Sequence, residues 1–250
     1  MIEKKQRQIE LLQEKRAALI SHAVTKGLDP NAKMKPSGIE WLGDVPKHWQ
    51  VLTIRRFASV DQGHTFPNSL QGNSDGTIPF YKVQDMNLPG NEIYMYAADN
   101  YINYETLDVI GATKFPAGTV IFPRVGAALL TNKRRILSSD ALFDENVYGV
   151  IPRRADSIFL YFVLSLIDLA SLCSPGLVPT VTIPAIKNIA IPYPEIHEQK
   201  SIADYLQKEL SKTDRLLHQI QESIKLLLEY RTALISAAVT GNLDVRKARL

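Results

Sequence analysis

The C-terminal part of the chain has a hydrophobic pattern that predicts one long helix. Apolar residues recur there at alternating steps of four and three, which is the spacing of a coiled-coil seam. The predicted interface residues of this helix are Leu206, Leu210, Leu217, Ile220, Ile224, Leu227 and Leu234. Because proline suits the start of a helix and not its interior, Pro194 predicts a start just after it, and Gly241 predicts the end.

The N-terminal segment repeats this pattern in a shorter form. Residues 9–29 align without a gap with residues 224–244, and about two-thirds of the positions are identical. The shorter copy carries seam residues at Ile9, Leu12 and Leu19 and stops at Gly27. A copy at each end with an unlike middle indicates a duplicated helical frame around a central domain.

The middle of the chain follows a different pattern, in which short apolar runs are separated by Gly, Pro, Asn and Asp. Such runs predict strands. They cover residues 51–54, 79–83, 119–122, 148–151 and 189–191, and one apolar helix is predicted over residues 157–172. We therefore predict an α+β fold, with a globular mixed-sheet domain and long coiled-coil helices that pair antiparallel as a spacer. The predicted boundaries are a partial helix at 1–28, a polar linker at 29–38, the globular domain at 39–194, and a long helix with its tail at 195–250.

Composition narrows the class of protein only slightly. The net charge is +3, but the middle domain carries slightly more acidic than basic side chains, so global charge does not indicate a nucleic-acid partner. The single cysteine, Cys173, excludes an intrachain disulfide framework and fits a reducing cytoplasm. No apolar stretch approaches the roughly 18 residues of a membrane span, so we expect no membrane partner.

Motifs at the borders of the middle domain and at the ends of both helices identify a family. SGIEWLG at residues 37–43 and VPKHW at 45–49 precede the domain, and IPYP at 191–194 follows it, with Glu198-Gln199 and Ile202-Ala203 beyond. Both helices end in R-x-A-L-I-S-x-A-V-T. Together with IPFYKVQD at 78–85 and GTVIFPRVG at 118–126, these stretches resemble the specificity (S) subunit of type I restriction–modification systems.

The resemblance implies a target-recognition domain that reads double-stranded DNA, while methyltransferase (M) and restriction (R) subunits carry out the chemistry. The sequence has no G-x-x-x-x-G-K-[ST] loop and no Asn-Pro-Pro-aromatic tetrad. Glu195, Glu198 and Lys200 have the spacing of a nuclease motif, but carboxylates at a helix start are the better interpretation. No histidine has zinc-ligand spacing to the cysteine. We expect no catalytic residue, no metal and no cofactor.

The chain has half the expected number of domains, since the subunits that it resembles usually alternate two recognition domains with two conserved helices. It is either a natural half-subunit or the C-terminal half of a longer subunit. We expect a homodimer through the long helices, which recreates the two-domain arrangement. The alternatives are a coiled-coil adaptor that does not bind DNA and an inactive remnant.

Candidate DNA contacts are polar side chains on loops that a rigid sheet holds in place. Arg and Lys suit guanine or phosphate, and Asn and Gln suit adenine. The candidates are Gln62, His64, Thr65, Asn73, Lys82, Gln84, Arg124, Asn132, Lys133, Arg134 and Arg135. The alternative for each is a solvated loop side chain, and for Arg124 it is a brace within its own domain through a buried carboxylate.

Overall fold

The computed structural model describes residues 1–174 and 176–240 and contains six helices and twelve strands within them. The helices are α1 Ile2–Lys26, α2 Tyr104–Ile110, α3 Gly126–Leu130, α4 Ser157–Ser165, α5 Ile183–Lys187 and α6 Ile196–Val239. The strands are β1 Met34–Pro36, β2 Asp44–Pro46, β3 Gln50–Thr53, β4 Ala58–Gln62, β5 Ile78–Tyr81, β6 Tyr94–Met95, β7 Tyr101–Ile102, β8 Val120–Pro123, β9 Arg135–Leu137, β10 Leu142–Phe143, β11 Val147–Pro152 and β12 Ala190–Tyr193.

Two compact units divide the chain. The helical unit consists of residues 1–20 together with the chain from residue 204 onward, and the globular unit consists of residues 21–203. The globular unit extends past both ends of the predicted domain. It takes in the segment expected to be a linker, where β1 pairs antiparallel with β2.

The globular unit has a five-stranded sheet in the order β4-β11-β8-β9-β6 and a three-stranded sheet in the order β10-β5-β7. A third, two-stranded sheet pairs β12 with β3. Parallel pairing occurs between β10 and β5 and between β6 and β9, while the other ladders are antiparallel. The predicted α+β class with mixed sheets is confirmed.

Buried aromatic rings join the two larger sheets to their surroundings. Phe115 and Phe143 stack with ring centroids 4.0 Å apart, and Phe66 packs on Phe80 at 4.1 Å. Gly63 lies where β4 ends against this layer. A Cβ at position 63 would collide with the main-chain oxygens of Phe143 and Asp144, so only glycine permits this close approach.

Every strand predicted from the middle of the chain is present within one or two residues of its predicted bounds. The prediction of a single helix over residues 157–172 was wrong, because α4 ends at Ser165 and a separate 3₁₀ helix spans Leu169–Leu172. Asp168 explains the break, since its carboxylate accepts a hydrogen bond from the Ala170 amide at 2.9 Å and starts the second element. The predicted helix end at Gly241 lies outside the described residues.

In the helical unit, α1 and α6 contact each other. Arg16 forms an ion pair with Asp214. Because α1 leads into the globular unit and α6 leads out of it, the two helices run in opposite directions where they pair. Leu206 and Leu210 are buried, whereas four seam residues are only half-buried, as expected when two helices alone share a seam. These four are Leu217, Ile220, Ile224 and Leu227.

The far end of α6 extends past α1. Counting outward from the Arg16–Asp214 pair, Ile2 at the start of α1 comes level with Leu228. Large apolar side chains beyond that level are exposed, including the predicted seam residue Leu234. Within the described ranges, no helix combines the length and the apolar character that a membrane crossing requires.

Candidate nucleic-acid interface

Four strand ends of the globular unit meet at the loop of residues 144–146, which joins β10 to β11. Since β5 and β10 are parallel, both end at this edge. The ends of β8 and β4 lie opposite the start of β11, with Pro123 paired to Val147 and Gln62 paired to Tyr148. The loops that follow β4, β5 and β8 therefore start beside the 144–146 loop.

Glu145 in this loop is the common partner of three candidate residues from separate segments. The Gln62 side-chain amide donates to the Glu145 carbonyl oxygen at 3.0 Å, and Arg124 Nε donates to the same oxygen at 2.6 Å. The Thr65 hydroxyl donates to the Glu145 carboxylate. Arg124 is thus braced by a main-chain carbonyl and not by the carboxylate that the alternative interpretation invoked.

A cleft of about 360 Å³ opens beside Glu145. Its lining residues are Thr65, Phe66, Pro67, Asn68, Gln71, Lys82, Asp144, Glu145 and Asn146. Lys82 Nζ lies 5.2 Å from the centroid of the Phe66 ring, which holds the ammonium group at the cleft. Burial raises the pKa of Asp144, although hydrogen bonds from Asn146 oppose this effect. The cleft therefore presents donors and acceptors together, as base edges require.

Three other candidates form hydrogen bonds elsewhere in the globular unit. His64 Nε2 lies 3.1 Å from the Thr113 carbonyl oxygen. Asn73 Oδ1 accepts a bond from the Asp75 amide at 3.0 Å, and the Gln84 side-chain amide donates to Asp99 at 3.1 Å. The lining of the Glu145 cleft includes none of these three.

The basic run at residues 133–135 is not a uniform cationic surface, and this corrects the expectation that Arg134 contacts DNA. Arg134 is only 2% exposed. Its Nη2 donates to the Ile167 carbonyl at 3.0 Å and to Asn132 Oδ1 at 3.1 Å, and its guanidinium lies over the Phe122 ring. Burial lowers the pKa of Arg134 to about 10. Both Arg134 and Asn132 therefore brace the domain interior.

The two neighbours of Arg134 differ from each other. Arg135 is half-buried and donates to the Met86 carbonyl at 2.7 Å, so it too holds the fold together. Lys133 donates to the Asn87 side chain and lines a separate cleft of about 230 Å³. Of the three basic side chains, that of Lys133 has the cationic group most available to a ligand.

Sequence reasoning missed the loop at the centre of this site. Residues 144–146 read Asp-Glu-Asn between two apolar runs, and such a polar triplet is the signal of a turn. The triplet contains no basic residue, so a search for cationic DNA contacts passes over it. Asn68 and Gln71 lie between the predicted candidates Thr65 and Asn73, and both line the cleft.

Asp85 lies just behind Lys82 and is fully buried. Its Oδ2 accepts a bond from the Lys82 amide at 2.8 Å, while Oδ1 has no hydrogen-bond partner among the described residues. Burial raises the pKa of Asp85 to about 6; the Lys82 amide opposes this effect, and the nearby Asp99 carboxylate adds to it. Asp85 thus shapes the turn that presents Lys82.

Asp85→Asn is expected to stabilise the protein at pH 7. The raised pKa means that folding disfavours the charged carboxylate, so the contribution of Asp85 to stability is fully present below about pH 4 and is lost as the pH rises through about 6. An amide keeps the Lys82 bond without the charge. We expect a gain of about 1–2 kcal/mol at pH 7 and almost none at pH 4, measured by urea unfolding.

Asp108→Asn is the matched control for this substitution, because Asp108 is exposed on α2. It removes the same charge and should leave the free energy of unfolding nearly unchanged at both pH values. A loss of stability in Asp85→Asn at pH 7 would contradict the assignment.

Comparison with known proteins finds one family along most of the chain. The family model described as "Type I restriction modification DNA specificity domain" matches residues 46–226. The type I restriction enzyme MjaVIII specificity subunit of Methanocaldococcus jannaschii is 20% identical over 96% of this chain and 56% of its own length. The EcoBI specificity subunit of Escherichia coli is 23% identical over 82% of this chain and 41% of its own length.

Solved structures share the fold. A chain from a study of complex assembly and conformational transition of the type I R-M system superposes with a TM-score of 0.69 at 16% identity, over 97% of this chain and 56% of that one. The HsdS subunit from Thermoanaerobacter tengcongensis superposes with a TM-score of 0.58 at 13% identity, over 96% of this chain and 54% of its own. The chain spans about half the length of these relatives.

Proposed function

This chain belongs to the family of type I restriction–modification DNA specificity domains, and from that premise we propose that it reads one half-site of a bipartite target in double-stranded DNA. In this proposal it has no catalytic activity and no cofactor of its own. It positions methyltransferase and restriction subunits on cytoplasmic DNA. The observation that carries the proposal is the convergence of Gln62, Thr65 and Arg124 on Glu145 beside a cleft lined by Lys82.

Base reading would use the atoms that this network leaves free. Arg124 donates to Glu145 through Nε alone, and its Nη1 and Nη2 make no hydrogen bond within the described residues. Two parallel donors of this kind match the O6 and N7 acceptors of guanine. The carboxylates of Asp144 and Glu145 suit the amino group of cytosine. Lys82 and Lys133 supply positive charge for phosphates, which position the duplex without reading its sequence.

The helices supply the spacing between half-sites in this proposal. α6 has 44 residues, which at 1.5 Å each makes it about 65 Å long, close to two turns of B-DNA at about 34 Å each. A second recognition domain at the other end of such a frame would read a second half-site. Unread base pairs would then separate the two half-sites.

We propose that a second copy of the chain supplies that second domain. The part of α6 beyond α1 exposes apolar side chains, namely Tyr230, Leu234, Ile235 and Val239. An isolated helix end of this kind gains by burying them against another helix. A two-fold axis through paired α6 helices would bury both sets and give two domains from one chain.

The expected target of such a dimer is an interrupted palindrome, because a two-fold axis makes both copies read the same half-site. The measurement is genome-wide mapping of methylated bases in a host that carries this chain and its methyltransferase but no other specificity subunit. A reproducible asymmetric motif would mean that the chain is half of a longer reader. Complete absence of methylation would favour the adaptor or remnant alternatives.

A double variant of α6 tests dimer formation separately from recognition of DNA by the globular unit. Tyr230→Glu together with Leu234→Glu places charge on the exposed end of α6, and we expect a monomer by light scattering with the melting temperature of the globular unit unchanged. Glu222→Ala with Glu229→Ala, at exposed polar positions of the same helix, is the control and should leave the dimer intact. A monomeric wild-type chain that still gives a palindromic motif would contradict the α6 dimer.

A further inference from the structure

Four exposed arginines of the globular unit gather at a place that the Glu145 cleft does not include. Arg55 and Arg56 belong to the 3₁₀ helix Ile54–Arg56 after β3, and Arg153 and Arg154 follow β11. The main-chain amides of Arg153 and Arg154 donate to the Phe57 carbonyl oxygen at 2.9 and 3.0 Å. These bonds bring the two pairs of residues together, and we call the four the arginine patch.

The backbone beneath the patch is held firmly. The Phe57 ring stacks on Tyr193 with centroids 4.9 Å apart, and the Tyr193 hydroxyl donates to the Arg154 carbonyl oxygen. Arg154 is therefore bonded through both its amide and its carbonyl. A cleft of about 550 Å³ adjoins it. Its lining residues are Arg153, Arg154, Ala155, Asp156, Ser157, Tyr193, Glu195, Ile196 and Lys200.

The cationic groups of the patch form no ion pair within the described part of the chain, although the Glu195 carboxylate lines the adjoining cleft. Among the residues that the structure describes, none of the four guanidinium groups has a hydrogen bond, an ion pair or a ring contact. The Asp156 carboxylate caps α4 by accepting bonds from the Ile158 and Phe159 amides at 3.0 and 2.9 Å. Each arginine thus keeps all five donors available to an anion.

The composition of the patch favours phosphates over a protein partner. Protein interfaces place apolar and aromatic side chains at a buried centre, yet Ile196 is the one large apolar residue of this cleft whose side chain is markedly exposed. Protein–DNA interfaces are more polar and far more positive. Arginine also binds phosphate oxygens with two parallel donors.

The ladder between β4 and β11 measures how far the patch lies from the Glu145 cleft. Gln62, opposite Tyr148, marks the end at the cleft, and Ala58, opposite Pro152, marks the end at the patch. Four residue steps at about 3.4 Å give roughly 14 Å.

We infer that the arginine patch binds the phosphate backbone of the duplex whose bases are read at the Glu145 cleft, at a site roughly 14 Å away along the β4–β11 ladder. This inference rests on the proposed function, because it assumes that the cleft reads DNA. The patch would anchor the unread duplex next to the half-site and contribute affinity without sequence preference.

Arg153→Ala with Arg154→Ala tests the inference, because it removes two cations and keeps the main-chain bonds to Phe57. Binding of the full chain to a mixed-sequence duplex of about 30 base pairs is measured by fluorescence anisotropy at several salt concentrations. Loss of two phosphate contacts should lower the slope of log K against log salt by about 2 and the affinity by about tenfold at 0.1 M salt. The melting temperature should not change.

Two controls distinguish the loss of phosphate contacts at the patch from a general loss of positive charge. Arg153→Lys with Arg154→Lys should keep the wild-type salt slope, because each ammonium group still replaces a counterion. Lys33→Ala with Lys47→Ala removes the same charge from two other exposed positions, and its slope should also match the wild type.

The failures of the two proposals are distinguishable. A wild-type chain that binds the duplex, beside an alanine variant with the same slope and affinity, overturns the patch inference and leaves the proposed function standing. If that variant also loses its methyltransferase on co-purification, the patch is a protein-docking surface and the inference is overturned. A wild-type chain with no salt-dependent DNA binding overturns both.

Discussion

Arg124→Ala is expected to lower affinity for the cognate half-site by up to about 3 kcal/mol, roughly a hundredfold, and to relax sequence preference at one base pair. The reason is geometric. The Glu145 carbonyl fixes Arg124 through Nε, so the two terminal nitrogens are held as a fork before any DNA arrives. Removing the side chain leaves the Glu145 carbonyl bonded to Gln62, so the fold should keep its stability.

The measurement for Arg124 is competition binding with the methylation-derived target and with a shuffled duplex. Arg124→Lys is the matched control, because it keeps the charge and loses the fork, and it should bind the shuffled duplex normally while discriminating poorly. An equal loss of affinity on both duplexes would make Arg124 a phosphate contact. Unchanged binding to both would leave it as a brace for the 144–146 loop.

Arg134→Ala is expected to destabilise the protein by about 3 kcal/mol, because it leaves a cavity and a buried carbonyl without its donor. The carbonyl is that of Ile167, and the cavity would face the Phe122 ring. Asn132 Oδ1 would keep the Leu169 amide as a donor at 3.1 Å. Urea unfolding measures the change. DNA binding below the unfolding transition should be close to that of the wild type, since the guanidinium does not reach the surface.

Lys133→Ala is the control for Arg134, because it removes the same charge one position away. Among the residues that the structure describes, its ammonium group is hydrogen-bonded to the Asn87 side chain alone, so the loss of stability should stay below about 0.5 kcal/mol. A variant of Arg134 that keeps wild-type stability but loses DNA binding would show that this side chain turns outward on DNA. The expectation drawn from the basic run would then be restored.

The separation of Lys133, Arg134 and Arg135 shows where local sequence stops being informative. Three consecutive cationic residues predict a solvated or anion-binding surface, because most charged side chains face water. Which of them turns inward depends on the carbonyl of Ile167, more than thirty residues away, and on the aromatic ring beneath. Neither partner can be identified without the tertiary pairing of β8, β9 and the chain after α4.

The Glu145 cleft also depends on tertiary structure, because strand pairing decides which polar residues meet there. Gln62, Thr65, Lys82 and Arg124 were all candidates as separate polar loop residues. The parallel register of β5 with β10 and the antiparallel register of β11 with β4 and β8 bring them to one loop. His64, Asn73 and Gln84 have equally suitable chemistry, yet their hydrogen bonds join them to residues outside that loop.

The sequence by itself determined the elements and the family of this protein. Periodicities of two and of three to four residues are local, so the strands, the two long helices and the repeat at the ends follow from neighbouring residues alone. The tertiary structure alone decided which cations are buried, where the apolar segment after residue 157 breaks, and which polar side chains share a cleft. Those outcomes depend on desolvation and on hydrogen bonds between residues far apart in the chain, and local pattern carries no information about either.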